Sequence, residues 1–283
     1  PPPPPPAPLC AREVCGYSSP QMLPYALALV FVAVIWLTIV LLNERYNLLS
    51  CDRFPSPVAK WFAYLWLGGF MAVLALLVTG SALTPVTAKQ LASAPFFSLF
   101  ALHAILIVFL LGWWAATGRP PLREFLNIRH ERPAEVLAIG VSVGVGGWIF
   151  TLLAAMLVAL LLKSIGLLPE SPEPPAMIGW MAALPAWKKA MIVLSAMTVE
   201  EAFFRSFLQK RLGLIASTIL FALAHFTYGQ PLLLIGVTII SLVIGITFYR
   251  TKNVVPGVIA HGVFDAIQLF VIVPIAVKVM GGS

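Results

Sequence analysis

The chain has 283 residues, of which 60% are hydrophobic and only 10% are charged, and its mean hydropathy is +0.96. A soluble domain is about half apolar and a quarter charged, so this composition excludes an ordinary soluble protein and indicates a polytopic membrane protein. The formal charge is +7, but the basic residues are few and lie at the ends of apolar runs, as topology signals do. We therefore exclude nucleic acid as a partner and expect the lipid bilayer instead.

Apolar stretches long enough to cross a bilayer, which takes about 20 residues, recur along the chain. They predict an all-α fold, a polytopic membrane helix bundle of about eight transmembrane helices. The predicted spans are 23–42, 61–80, 95–117, 134–162, 187–208, 214–228, 232–249 and 254–278.

Lys and Arg in the connections predict the orientation, because cytoplasmic connections carry an excess of them. With the N-terminus outside, eleven of the 18 basic residues fall on the inner side, six fall on the outer side, and Arg205 lies in the membrane. We predict a multi-pass protein of the cell membrane with both termini extracytoplasmic. The three cysteines, Cys10, Cys15 and Cys51, have neither CxxC nor zinc-ligand spacing.

Two features of the third and fourth spans predict packing rather than chemistry. His103 is alone in the third span, without an acidic neighbour at helical spacing, and is predicted to be a hydrogen-bonded core histidine. In the fourth span, Gly140 and Gly144 form a small-xxx-small pattern, which lets two helices approach closely.

The fifth span carries Glu200, Glu201 and Arg205. A charge at the centre of a spanning helix costs about 2.5–3.5 kcal/mol on insertion scales, so such residues usually face the bundle interior and serve a function. Helical geometry places Glu201 and Arg205 on one face, where they can pair, and turns Glu200 away by about 100°. The alternative is a cytosolic helix end with a solvated ion pair.

Two later spans each carry a second polar face. Phe221 and His225 are four residues apart in the sixth span, as are His261 and Asp265 in the eighth. Polar faces on three nearby helices are costly in lipid unless they meet and satisfy one another. We therefore expect them to share one layer in the cytoplasmic half of the bilayer.

These patterns, Glu-Glu-x-x-x-Arg, Phe-x-x-x-His and His-x-x-x-Asp on successive apolar segments, resemble those of the CAAX protease and bacteriocin-processing family. That family includes type II CAAX prenyl endopeptidases, bacterial Abi proteins and lysostaphin-resistance-protein-A-like proteins. The resemblance implies an intramembrane endopeptidase with a cavity open to the cytoplasm. It divides the chain into a Pro-rich tail (1–22), a four-span membrane region (23–186) and a catalytic membrane region (187–283).

The resemblance also implies roles for single residues. Glu200 and His225 would activate the attacking water, and His261 and Asp265 would stabilise the oxyanion. Peptide hydrolysis needs such a base within reach of a water and such donors aimed at the developing charge. No Ser or Cys lies within the three polar faces, which argues against a covalent acyl-enzyme.

Glu201 and Arg205 are expected to support the site rather than to react. With neutral histidines, Glu200, Glu201, Asp265 and Arg205 together carry a formal charge of −2, derived from three acids and one base, and burial disfavours an uncompensated excess. We expect an imidazolium at His261, held by Asp265 and donating to the scissile carbonyl oxygen.

No cofactor is favoured, and zinc is the alternative. Glu200, His225 and His261 would suffice as ligands, but they come from three separate helices. The expected substrate is a membrane-associated protein or peptide, with or without a lipid, cut near the cytoplasmic face. The alternative functions are a non-catalytic membrane scaffold of the same family and a proton-coupled transporter, because intramembrane ionisable residues also mark proton relays.

Overall fold

The computed structural model describes residues 22–47, 52–84, 90, 93–129, 132–167, 176–226 and 231–281. These residues are almost entirely helical and include no strand, which confirms the all-α prediction. Cys10, Cys15, Cys51 and nearly all of the Pro-rich tail lie outside them.

The helices, in chain order, have the following bounds. They are α1 (Met22–Tyr46), α2 (Pro57–Leu83), α3 (Ala101–Ala116), α4 (Leu122–Phe125), α5 (Pro133–Ser164), α6 (Ala176–Ala183), α7 (Ala186–Ser195), α8 (Lys210–Ala224), α9 (Pro231–Thr251), α10 (Val254–Ile267) and α11 (Val273–Gly281). A 3₁₀ turn, Phe96–Phe100, precedes α3. Two π-helical segments, Ala196–Glu200 and Ala202–Gln209, lie between α7 and α8, and a third, Gln268–Ile272, lies between α10 and α11.

Local sequence explains where several helices begin. Ser56 precedes α2, and its hydroxyl accepts a hydrogen bond from the backbone N–H of Ala59. Asn253 precedes α10 and accepts from the N–H of Val255 in the same way. These side chains satisfy N–H groups that have no partner within the first helical turn.

Among the described residues, seven helical runs are long and apolar enough to cross a membrane, and one of them, Ala186–Ala224, contains the fifth predicted span and most of the sixth. Gly213 interrupts this run with a φ of +83°, a conformation that glycine adopts without steric cost. The rings of Phe204 and Phe221 are 4.8 Å apart, whereas an unbroken helix would separate these positions by about 25 Å. The chain therefore reverses at Gly213 and forms a helical hairpin. The protein is an integral membrane protein whose helices match the predicted polytopic bundle.

An aromatic cluster fastens α3 to the segment that carries the glutamates. The ring of Phe109 lies 5.9 Å from that of Phe203 and 5.0 Å from that of Phe207, and the rings of Trp113 and Phe207 are 5.1 Å apart. All four side chains are buried. Along this contact the residue numbers of α3 and of the fifth span increase in the same direction, so the two spans are parallel. This is what two spans separated by one further membrane crossing must be.

Gly140 and Gly144 pack α5 against α10, which confirms the predicted close approach. A Cβ atom at Gly140 would lie 2.6 Å from Cβ of Ile259, and one at Gly144 would lie 2.7 Å from Cβ of Val263. No larger residue fits without displacing α10. This contact therefore fixes the helix that carries His261.

The connections predicted to be cytoplasmic meet at one end of the bundle. Arg211, beside the reversal at Gly213, donates through Nε to Oδ2 of Asp52 at 2.8 Å. The backbone N–H of Val254 donates to the carbonyl of Asn127 at 3.0 Å. These contacts link the connections in two pairs: the one after α1 with the one after the fifth span, and the one after α3 with the one after α9. That this end faces the cytoplasm stays a prediction.

Candidate active site

Both glutamates of the fifth span lie in an unusual stretch of helix. Glu200 ends the first π-helical segment, and Glu201 directly precedes the second. π-helical turns are rare and are frequently found at functional sites. The two adjacent carboxylates point to different partners.

Glu201 and Arg205 form the predicted ion pair, with Nε of Arg205 donating to Oε2 at 2.9 Å, and both side chains are fully buried. Arg205 also donates through Nη2 to the hydroxyl of Ser241 at 3.2 Å. The second oxygen of Glu201, Oε1, accepts from Nδ1 of His261 at 2.9 Å. Buried charges are tolerated only with such partners. Glu201 thus links its own helix to α10, and Arg205 links it to α9.

Glu200 has a different environment. Its side chain keeps 15% of its surface exposed, and its Oε1 lies 3.1 Å from Nε2 of His103. The other oxygen, Oε2, is buried and has no hydrogen-bond partner among the described residues. It faces Nε2 of His225 at 3.9 Å, which is too long for a direct hydrogen bond.

Phe221 contacts both site histidines, His225 and His261, through its ring, and it also contacts His225 through its backbone carbonyl. Nδ1 of His225 lies 2.8 Å from this carbonyl oxygen, which can only accept, so Nδ1 donates and a neutral His225 has its lone pair on Nε2. The ring of Phe221 stacks on His225 with centroids 4.5 Å apart and meets the ring of His261 at 6.1 Å. The guanidinium of Arg205 lies over the face of the Phe221 ring, 5.2 Å from its centroid. This packing explains why Phe precedes His by one turn.

His261 lies between two carboxylates. Its Nδ1 contacts Glu201, and its Nε2 lies 3.4 Å from Oδ2 of Asp265. The second distance is longer than the 2.7–3.2 Å of an N–H···O hydrogen bond. An imidazolium donates from both nitrogens, so in that form the Nε2–H group is not committed to a short bond with Asp265.

The structure brings in two residues that the sequence patterns do not place in the site. His103 is hydrogen-bonded, as predicted, but it is not a core residue, because it is 14% exposed and contacts Glu200. The hydroxyl of Ser195 lies 2.7 Å from Nδ1 of His103. The only signal in the sequence is a lone polar side chain in an apolar span, which does not identify a partner 97 positions away.

Within the described part of the chain, no three His, Cys, Asp or Glu side chains form a group that could hold a metal ion. Glu200 and His225 face each other, whereas Nδ1 of His261 is hydrogen-bonded to Glu201. Independence of metal stays a prediction.

Two comparisons with known proteins find a family and a relative that resemble part of this chain. Residues 182–267 match the model of a family described as type II CAAX prenyl endopeptidase Rce1-like. This match supports the resemblance of the region to the CAAX protease family. This Rce1-like region, slightly less than a third of the chain, holds all six candidate site residues, and the family implies an endopeptidase in a membrane setting. His103 lies outside it.

A second comparison covers a shorter stretch. The uncharacterized protein YpbD of Bacillus subtilis (strain 168) is 39% identical to this chain over 69 residues, which make up 24% of this chain and 36% of that protein. The chain thus spans about a third of the length of this curated relative. No solved structure matches.

Proposed function

We propose that the protein is an intramembrane endopeptidase that hydrolyses a peptide bond of a membrane-associated protein or peptide near the cytoplasmic face. The supporting observation is the approach of Oε2 of Glu200 to Nε2 of His225, across 3.9 Å; in the neutral ring both atoms are hydrogen-bond acceptors. A single water molecule at hydrogen-bond distance from both atoms fits this separation. It would donate one hydrogen to each acceptor, which leaves its oxygen lone pairs to attack a carbonyl carbon.

The proton balance of the reaction follows from this arrangement. Glu200 accepts a proton from the water as the oxygen–carbon bond forms, so that it acts as the general base. The same proton then passes to the nitrogen of the departing peptide as the carbon–nitrogen bond breaks. The carboxylate is regenerated, and no covalent enzyme intermediate is required.

His261 supplies the electrostatic part of the proposal. Its Nε2–H group, 3.4 Å from Asp265, is the donor that we assign to the developing oxyanion. A donor already in place before the reaction stabilises the transition state without reorganisation, and removing one such donor typically costs about a hundredfold or more in rate. Glu201 fixes the ring through Nδ1, so its role is to position His261.

For the substrate we propose a peptide with a prenylated CAAX-type C-terminus, by analogy with the description of the matching family. The membrane setting is consistent with a lipidated substrate, because a prenyl chain partitions into the bilayer and brings the attached peptide to the membrane surface. The predicted orientation places the catalytic layer in the cytoplasmic half of the bilayer.

Two measurements test the proposal together. The purified protein is incubated with a farnesylated, internally quenched CAAX peptide, and membranes containing wild type or Glu200→Ala are compared by proteomics for an uncleaved precursor. We expect cleavage by wild type, none by Glu200→Gln, and full activity of Glu135→Gln, a matched change at an exposed site. No peptide cleavage by wild type, together with no precursor that accumulates with Glu200→Ala, would favour the scaffold alternative.

A further inference from the structure

We propose that His103 and Ser195 form a positioning pair that determines which oxygen of Glu200 acts as the base. The inference rests on the proposed hydrolase function and extends it to a helix outside the Rce1-like region. It starts from two contacts, His103 Nε2 to Glu200 Oε1 at 3.1 Å and Ser195 Oγ to His103 Nδ1 at 2.7 Å.

The direction of these hydrogen bonds follows from the chemistry of the groups. An ionised carboxylate can only accept, so Nε2 of His103 must donate to Glu200. In a neutral ring, Nδ1 is then an acceptor, and the hydroxyl of Ser195 donates to it. Ser195 thereby selects the Nε2–H tautomer of His103, in the way that a second partner sets the tautomer of a functional histidine.

The consequence is an asymmetry between the two oxygens of Glu200. Oε1 is occupied by His103, whereas Oε2 has no hydrogen-bond partner among the described residues and faces His225. A carboxylate without this anchor can rotate and present either oxygen, or neither, to the water. His103 therefore acts through Glu200 and is a positioning residue.

The fold holds His103 at this place. The contacts of Phe109 with Phe203 and Phe207 hold α3 against the segment that carries Glu200 and Glu201. The ring of Phe100 lies 6.3 Å from that of His103. The first half of the chain thus contributes a side chain to the site, although the matching family region begins only at residue 182.

Ser195, His103 and Glu200 also have the connectivity of a serine hydrolase triad, in which the serine is the nucleophile and the acid only orients the histidine. The environment of Glu200 favours the positioning role. An acid that only orients a histidine has no use for a second, unpartnered oxygen directed at another histidine, whereas a general base needs one.

Kinetics of matched variants test the inference with the quenched farnesyl peptide. His103→Phe keeps a flat ring without the donor, and His103→Gln restores an N–H group near the position of Nε2. We expect kcat of His103→Phe to fall by about tenfold to a hundredfold, as for the loss of an outer-shell partner, with KM unchanged, and His103→Gln to recover most of this loss. Equal loss in both variants, or a change in KM alone, would overturn the positioning role.

Ser195→Ala separates positioning from nucleophilic catalysis. We expect a partial loss of kcat and no labelling of the wild type by a fluorophosphonate probe, with Ser81→Ala as a matched change at an exposed serine that bonds only within its own helix. Complete inactivity of Ser195→Ala, together with labelling that this change abolishes, would identify Ser195 as a nucleophile and refute the proposal.

A spectroscopic measurement needs no substrate. The chain has only four histidines, so ¹⁵N-imidazole NMR of the protein in lipid bilayers resolves few rings, and loss of a signal in His103→Gln identifies His103. We expect the Nε2–H tautomer, with an Nδ1 signal that shifts in Ser195→Ala. An Nδ1–H tautomer or an imidazolium would refute the inference while leaving the hydrolase proposal intact. Absence of peptide cleavage by wild type would instead refute the hydrolase proposal.

Discussion

Glu200 and Glu201 are adjacent in the chain, but their carboxylates lie in different environments. Glu201 is fully buried and engages Arg205 and His261 through both of its oxygens, whereas Glu200 keeps 15% of its side chain exposed and engages His103 through only one. A saturated, buried carboxylate is suited to holding other groups in place. A partly exposed carboxylate with one unpartnered oxygen is suited to accepting a proton.

This difference predicts separate effects of two substitutions. Arg205→Ala leaves Glu201 as a buried, poorly compensated charge, which typically costs about 3–5 kcal/mol, so both folded yield and activity should fall. Glu200→Gln is nearly isosteric and should abolish activity in a normally folded protein. Thermal unfolding in detergent, followed beside peptide cleavage, measures both effects. Identical melting curves of the two variants would contradict the assigned roles.

Asp265 tests the oxyanion assignment. An ionised carboxylate cannot donate a hydrogen bond, whereas an asparagine amide can. We therefore expect Asp265→Asn to retain substantial activity and Asp265→Ala to lose most of it, measured as kcat/KM on the farnesyl peptide. If Asp265→Asn is as inactive as Glu200→Gln, the carboxylate itself is required, and a base or ligand role for Asp265 follows.

Independence of metal is the third expectation. Because Nδ1 of His261 is hydrogen-bonded to Glu201 and no three potential ligands form a metal-binding group in the described part of the chain, a strong zinc chelator should leave cleavage by the purified protein unchanged. A zinc metalloprotease treated in parallel controls for effective chelation. Loss of activity that added zinc restores would transfer Glu200, His225 and His261 to ligand roles.

The contact between α5 and α10 predicts an effect far from the reacting atoms. A Cβ at Gly144 would lie 2.7 Å from Cβ of Val263, whereas a Cβ at Gly146 on the same helix would meet no atom within 4 Å. Overpacking of this kind costs about 1–3 kcal/mol. Gly144→Ala should therefore lower the melting temperature and displace α10, while Gly146→Ala should melt like wild type. Equal stability of the two variants would show that α10 tolerates the displacement.

Orientation is tested by labelling cysteines in intact cells. Two variants, one retaining only Cys10 and one retaining only Cys51, are exposed to a membrane-impermeant thiol reagent after reduction. We expect Cys10 to react, and Cys51 to react only after permeabilisation, because Lys and Arg are concentrated in the connections on the side of Cys51. Equal labelling in intact cells would reverse or refute the predicted topology.

The sequence alone determined the features that depend on local geometry and on the bilayer. Runs of apolar residues identified the membrane segments, because lipid tolerates few exposed polar groups. Helical periodicity paired Glu201 with Arg205, and the same spacing placed His261 and Asp265 on one face. The convergence of the three polar faces also followed from the cost of leaving them apart in lipid.

Only the tertiary structure decided which oxygen of each glutamate has which partner. His103 approaches Glu200 from a helix 97 positions earlier in the chain, and no periodic pattern links residues that far apart. The contact depends on aromatic packing between α3 and the segment that carries Glu200 and Glu201, and on the π-helical turns around Glu200. Both arise from the fit of whole helices against one another, which side-chain spacing along a single helix does not encode.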